Sequence, residues 1–191
     1  MKRIIYLLTA IFVIGLIGCS KSGGSQKQTK SKAKQAYVYV NSEYGFKVKF
    51  DTVPKTRTST TNIKNGKVVE HYFYNEMEQN GIKCTEVVDV IDYPEFFENQ
   101  ANPSYIVELQ VKQIASNMGL TQVIDTSAND VTGYPSYYMF ASDQNNNYGV
   151  FQGIAYKNRI YVIAGLTSGE NSKDLAEMKC KNFVFSFKFL K

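Results

Sequence analysis

Residues 134–167, YPSYYMFASDQNNNYGVFQGIAYKNRIYVIAGLT, decide the fold class. Tyr134 to Ser142 reads as a strand rich in aromatic and apolar residues, and the polar tip Asp143-Gln144-Asn145-Asn146-Asn147 ends it. Tyr148 to Tyr156 returns, Lys157-Asn158 turns tightly, and Arg159 to Thr167 closes the unit with Ile160, Val162 and Ala164 on one face. Short strands joined by tight turns pair antiparallel, so the segment predicts a three-strand meander.

Strand signals continue on the N-terminal side. Tyr37 to Val40 and Gly45 to Phe50 alternate with period two, placing Phe46, Val48 and Phe50 on one face. Pro54 and the Thr/Ser-rich stretch 56–61 break the pattern. Asn65-Gly66 and Asn80-Gly81 are tight-turn dipeptides, and each reads as the tip of a hairpin leading into Val68 to Tyr74 and Ile82 to Ile91. Asn102-Pro103 reads as an N-cap and first helical residue. Ile106, Leu109, Ile114 and Met118 follow at helical spacing, and Gly119 stands where a left-handed C-terminal residue is expected, so a helix is predicted over 103–118. Leu120 to Thr126 resumes a strand. Ser172 caps a last helix carrying Leu175, Met178 and Phe183, although Phe183, Phe185, Phe187 and Phe189 alternate and leave an extended end open. The pattern is α+β with an antiparallel sheet. No internal repeat divides residues 36–191, which read as a single domain.

The chain of 191 residues has 43% hydrophobic residues, one His, three Cys and no Trp. That length supports one domain with a core. It is too short for a large catalytic barrel and too apolar for a disordered chain. The formal charge of +5 divides unevenly: seven basic residues and no acid precede residue 36, leaving 15 basic against 17 acidic residues beyond it. A basic excess confined to the leader gives no ground for a nucleic-acid partner. No cofactor is implied, since a Gly-rich phosphate loop is absent and one His with three Cys leaves little for a zinc or iron site, so no metal is expected either.

Lys2 and Arg3 precede the uncharged run Ile4 to Ile17, which is closed by Gly18-Cys19. A positive start, an apolar run and small residues before a cleavage point make residues 1–18 a secretory signal. Fourteen helical residues reach only about 21 Å, short of a bilayer core of about 30 Å, which weakens a transmembrane reading. Leu16-Ile17-Gly18-Cys19 resembles the lipobox of bacterial lipoproteins. The resemblance implies cleavage between Gly18 and Cys19, with Cys19 the lipid-bearing residue and new N-terminus. A thiolate is the best nucleophile to accept a lipid, and two or more acyl chains anchor stably where one does not. An ordinary secretory signal with an incidental Cys, or a retained anchor helix, is the alternative. Cell membrane and outer membrane both remain open, with the domain outside the cytoplasm. Residues 19–35 contain no large apolar residue beyond Cys19 and read as a flexible Lys/Ser/Gly tether. Its five lysines would meet anionic headgroups or merely keep a solvated spacer extended.

Asn41 to Phe50 (NSEYGFKVKF), Gly133-Tyr134-Pro135 with Tyr137-Tyr138, Tyr161 to Ala164, and Phe183 with Ser186-Phe187 together resemble the PsbP-like family, including its DcrB-type bacterial lipoprotein relatives, over roughly residues 40–190. The resemblance implies an antiparallel β-sheet flanked by helices on both faces, an α/β/α sandwich. It implies no reaction, because family members act as assembly or stabilising factors or have no known role.

Several constellations bear on chemistry. His71 is the only imidazole, so any Ser-His-Asp or Cys-His site would need it. No nucleophile-elbow motif accompanies it, and a hydrogen-bonded strand His is the plainer reading. Cys84 and Cys180 could close a loop worth about 4.7 kcal/mol in the chain-entropy model. One lies among strand residues and the other on a helix, so two free buried thiols are expected. Glu70, Glu76, Glu78, Glu86, Asp89, Asp92, Glu95 and Glu98 form an acidic stretch, read as a solvated face in preference to a cation site or a basic-partner surface. Fourteen Tyr and twelve Phe are many for the length. Tyr134, Tyr137, Tyr138 and Tyr148 mark a partner-binding surface on the meander, or else they fill the edges of a sheet that lacks Trp.

The expectation is a non-enzymatic envelope lipoprotein, held to the membrane through Cys19, which binds a partner protein or stabilises an envelope assembly. A small-ligand carrier with an apolar pocket between sheet and helices is the alternative. A hydrolase using the carboxylates and His71 is the third reading.

Overall fold

The structure, a computed structural model, describes residues 36–63, 66–79, 81–94, 103–128, 133–169 and 172–191. Gly18 and Cys19, the rest of the predicted signal and tether, the predicted turn residues Asn65 and Asn80, the predicted cap residue Asn102, and Glu95 and Glu98 lie outside the described residues. The described residues form ten strands: β1 Tyr37–Asn41, β2 Phe46–Phe50, β3 Lys55–Ile63, β4 Gly66–Gln79, β5 Ile82–Asp92, β6 Gln122–Ala128, β7 Ser136–Ser142, β8 Tyr148–Tyr156, β9 Arg159–Ser168 and β10 Lys188–Phe189. Helix α1 spans Pro103–Asn117. A second helical run comprises α2 Ser172–Leu175, a π-helical turn Ala176–Cys180, and α3 Lys181–Phe185.

The strands divide between two antiparallel sheets, where the sequence pointed to one. A seven-stranded sheet has the order β3-β4-β5-β9-β8-β7-β6, and a small sheet has the order β1-β2-β10. The Thr/Ser-rich stretch 56–61 is the second difference. It is not a break but the body of β3, paired with β4 from Lys55↔Tyr74 to Ile63↔Gly66. β3 is an edge strand with mostly exposed side chains, so polar β-branched threonines suit it and no apolar alternation is required. The predicted meander is β7-β8-β9, in register from Ser136↔Ile154 through Tyr156↔Arg159. Helix α1 ends one residue before the predicted limit. The Leu120 N–H bonds the Ala115 carbonyl at 3.0 Å and the Gly119 N–H bonds that of Ser116 at 2.9 Å, with Gly119 at φ 78°. This is the paired C-terminal closure that a left-handed glycine permits. At the chain end both readings hold in part, because the helix runs to Phe185 and only Lys188–Phe189 extends.

Alternate residues of the central strands belong to two separate cores. Ile160, Val162 and Ala164 of β9, with Phe151 and Ala155 of β8, pack with Val107, Val111, Ile114 and Ala115 of α1. The intervening residues Tyr161, Ile163, Val150 and Ile154 pack with Phe46, Val48 and Phe50 of the small sheet, and with Ala176, Cys180, Phe183 and Val184 of the C-terminal run. Adjacent side chains on a strand point to opposite faces, so the two cores lie on opposite sides of the sheet. Glycines let the layers approach. A Cβ on Gly153 would stand 2.6 Å from Val107 Cγ1 and 2.7 Å from Val111 Cγ2, and one on Gly165 would stand 2.5 Å from Cys180 Cβ.

Candidate functional site

A groove of about 310 Å³ opens beside β6, lined by Asp125, Ser127, Ser136, Tyr138, Gln152, Lys181 and Phe185. Three strands and α3 build it. Ser127 pairs opposite Tyr138, and Tyr138 opposite Gln152, so these three side chains project in a row on one face of β6, β7 and β8. β6 is an edge strand, and its register slips between Val123 and Asp125, a bulge that turns Asp125 onto the groove side opposite Phe140. From α3, Phe185 stacks on Tyr138 with centroids 5.7 Å apart and planes 24° apart, yet it stays 55% exposed. Lys181 Nζ stands 5.2 Å from the Phe140 ring centroid. The Tyr138 hydroxyl pKa is pushed up to about 12, by burial first and then by the charges of Asp125 and Glu177, so it remains a neutral donor. The groove therefore offers an aromatic wall, charges of both signs and amide and hydroxyl groups beside what is, among the described residues, the edge of the sheet.

Of the four tyrosines singled out from the sequence, only Tyr138 lines this groove. Tyr137, its neighbour, points to the opposite face and is buried at 5% exposure in the core with α1, with Lys112 Nζ 5.6 Å from its ring centroid. It is therefore not part of a free contact surface, because the pleat that exposes one neighbour buries the other. Tyr134 is half-buried against Tyr156 at 4.8 Å and Phe189 at 5.4 Å, and Tyr148 against Phe140 at 6.1 Å. At the Asn-rich tip, the Asp143 carboxylate accepts from the backbone of Asn145 at 2.7 Å, the backbone of Asn147 at 3.0 Å and Asn147 Nδ2 at 2.6 Å. Burial raises its pKa, but the bonds from Asn147 and Asn145 outweigh that and hold it below the usual carboxylate range. The tip is thus a turn folded around the Asp143 carboxylate.

His71 stands between Thr58, whose Oγ1 is 3.3 Å from Nδ1, and Asp92, whose Oδ2 is 3.5 Å from Nε2. Asp92 is also bound by Arg159. The Tyr44 ring is contacted by both the imidazole, with centroids 4.7 Å apart, and the Arg159 guanidinium, 5.1 Å from the ring centroid. Tyr161 Oη donates to the Tyr44 carbonyl at 2.8 Å. The cluster clamps the β1–β2 turn onto the large sheet. Both imidazole nitrogens of His71 face partners within this clamp.

The acidic stretch is not one solvated face. Glu70, Glu86 and Asp89 are buried, at 5%, 2% and 3% exposure. The pleat divides them: Glu70 and Asp89 lie with the α1 core, and Glu86 lies beside the C-terminal run. Glu86 Oε2 accepts the Asp51 N–H at 2.9 Å, and burial foremost raises its pKa to about 7. Burial also raises Asp89 well above the carboxylate range, with Glu70 adding repulsion. Among the described residues no group of three or more His, Cys, Asp or Glu could hold a metal ion. No helix among them is long and apolar enough to cross a membrane.

The feature that sequence reasoning missed is the meeting of Cys84 and Cys180. Both are free, both are buried, and their thiols hydrogen-bond to each other. A long sequence separation and different element types concealed it, and only the pairing of β5 with β9 brings the two together.

Neither a protein-family model nor a curated protein matches the sequence. Among solved structures, the chain is similar to cyanobacterial PsbP (CyanoP) from Synechocystis sp. PCC 6803, with a TM-score of 0.50 at 11% identity, covering 86% of this chain and 98% of that one. Similarity over nearly the whole of both chains at so low an identity is a likeness of backbone, not of site residues. The chain has a PsbP-like fold.

Proposed function

We propose that this chain is a non-enzymatic envelope lipoprotein, anchored by lipid on Cys19, whose domain binds a partner protein through the groove between β6 and α3. The three-layer frame, with helices covering both faces of the large sheet, holds the wall and floor of that groove in fixed relation. The partner presents an extended segment that runs along β6, supplies hydrogen bonds to its open edge and places an apolar side chain against Phe185 and Tyr138. The observation that carries this reading is the Tyr138–Phe185 stack: a large ring left 55% exposed beside a strand edge that pairs with no further strand among the described residues. Exposed aromatic residues give contact area at little entropic cost and dominate binding energy at interfaces. The leader supports the anchoring half, through the Leu16-Ile17-Gly18-Cys19 stretch and the charge asymmetry before residue 36.

Two measurements test the proposal. Labelled palmitate is expected on the native chain and absent from Cys19→Ser; a native chain that takes up none removes the anchor. A photocrosslinking amino acid in place of Phe185 is expected to capture one defined envelope protein, while the same probe at Glu108 on α1 captures none. Loss of that capture in Lys181→Glu, with the melting temperature unchanged, locates the contact in the groove. Equal capture from both positions overturns it.

A further inference from the structure

The side chains around Cys84 and Cys180 form a second constellation, independent of the groove. Cys84 lies on β5 opposite Met77 of β4 and Thr167 of β9, with Glu86, two residues along, opposite Gly165. Cys180 closes the π-helical turn and sits directly over Gly165, where a side-chain carbon would come within 2.8 Å of its Cα and 3.0 Å of its Sγ. Neighbouring strands are about 4.8 Å apart, so the missing side chain lets Cys180 descend to the level of the β5 side chains. The two thiols meet there, at 2% and 0% exposure. Lys179 overhangs them, its Nζ 2.5 Å from Asp51 Oδ2 and 2.6 Å from Met77 Sδ. The Cys180 thiol, foremost, lowers the Cys84 pKa; burial opposes this and the Lys179 charge assists it. Cys180 is held protonated by the same hydrogen bond and by burial.

We propose that Cys84 and Cys180 are an oxidisable dithiol, which a small peroxide converts to an intramolecular disulfide joining β5 to the C-terminal helical run. Cys84 is the attacking sulfur and Cys180 the resolving one. The Cys84 thiolate attacks one oxygen of hydrogen peroxide, the O–O bond breaks, and a sulfenic acid forms with release of hydroxide. The Cys180 sulfur then displaces the sulfenic oxygen as its own proton leaves. The S–S bond forms, and in sum two thiols and one peroxide give one disulfide and two waters. Burial sets the oxidant class, because a two-oxygen molecule penetrates where a bulky disulfide does not. Buried cysteines are usually inert because burial favours the neutral thiol, whereas a nearby cation favours the thiolate and a second thiol can resolve a sulfenic acid. This pair has both.

The test uses the full folded chain, exposed to hydrogen peroxide and digested without reductant. The expected product is a cross-linked peptide pair containing Cys84 and Cys180, lighter by two hydrogen atoms and released by dithiothreitol, with a raised melting temperature before release. Cys84→Ser and Cys180→Ser each abolish the pair, and Cys84→Ala replaces the serine variant should that one not fold. Two thiols still free after treatment, oxygen added to Met77 or to either cysteine without the cross-link, or a covalent dimer would each overturn the proposal. Its outcome does not depend on whether the groove binds a protein.

Discussion

On the α1 side of the large sheet, Val107, Val111, Ile114 and Ala115 meet Val87, Ile91, Met139, Phe151 and Val162, a contact built mostly from aliphatic groups. On the other side, Tyr39, Tyr44, Phe46, Phe73, Tyr161, Phe187 and Phe189 form a continuous ring network with centroid separations between 5.0 and 6.4 Å. The difference follows from what covers each side. Helix α1 is fifteen residues long and satisfies its own backbone, so it needs only an apolar stripe. The small sheet has strands of five, five and two residues, too few to be stable alone, and large rings bind it to its neighbour. Seven of the fourteen Tyr and twelve Phe of this sequence thus serve the joint between two sheets.

The largest expected effect tests that joint directly. Phe46→Ala should destabilise by about 3–5 kcal/mol, whereas Ile114→Ala on the α1 side should cost about 2 kcal/mol, the low end for a buried isoleucine. Urea unfolding of both variants checks the order, and equal losses would break the contrast.

Buried acid sharpens it further. Glu86 has a folded-state pKa of about 7 against an ordinary value of 4.5, raised chiefly by burial. The folded chain therefore holds the proton longer than the unfolded chain. The associated stability is fully present below about pH 4.5 and is lost as pH rises through 7, a fall of about 3 kcal/mol. Glu70 and Asp89, also raised, act with the same sign on the α1 side. Stability against pH should slope downward over this range in the parent chain and flatten partly in Glu86→Gln. A parent curve that rises with pH would refute the assignment.

Glycine packing gives a smaller contrast. Gly165→Ala should cost about 1–3 kcal/mol, and more than Gly153→Ala. The first clashes with the Cβ and Cα of Cys180, which move only with the helical run, and the second with valine methyls that can rotate. Thermal melts rank the two. Smallest of all, Lys112→Ala removes an i,i+4 pair with Glu108 at 2.5 Å and should change stability by about 0.3–0.5 kcal/mol.

Local signals made much of this architecture readable. The β7-β8-β9 meander, the helix ended by Gly119 and the alternation of Phe46, Val48 and Phe50 are each carried by residues a few positions apart. What escaped depends on distant pairing. β3 was hidden because an exposed edge strand needs no apolar alternation. The separation of Tyr137 from Tyr138 was legible in principle from period-two geometry, but which face lay open depended on α1 and α3. Glu86 and Asp89 read as solvated because charge in a sequence says nothing about the layers that cover it. The thiol pair rests on β5 lying beside β9, a neighbour relation with no local signature.

The Leu190 N–H bonds the Gly45 carbonyl at 2.8 Å, and the Lys49 N–H bonds Ser186 Oγ at 2.9 Å. The β1–β2 hairpin thus has lasting partners far later in the chain, 137 positions on in the case of Lys49 and Ser186. While the ribosome is still at work, Phe46 and Phe50 have no finished layer to enter. Chaperones that guard nascent chains should find their client site at this hairpin, and should release it only once residues 186–190 have emerged.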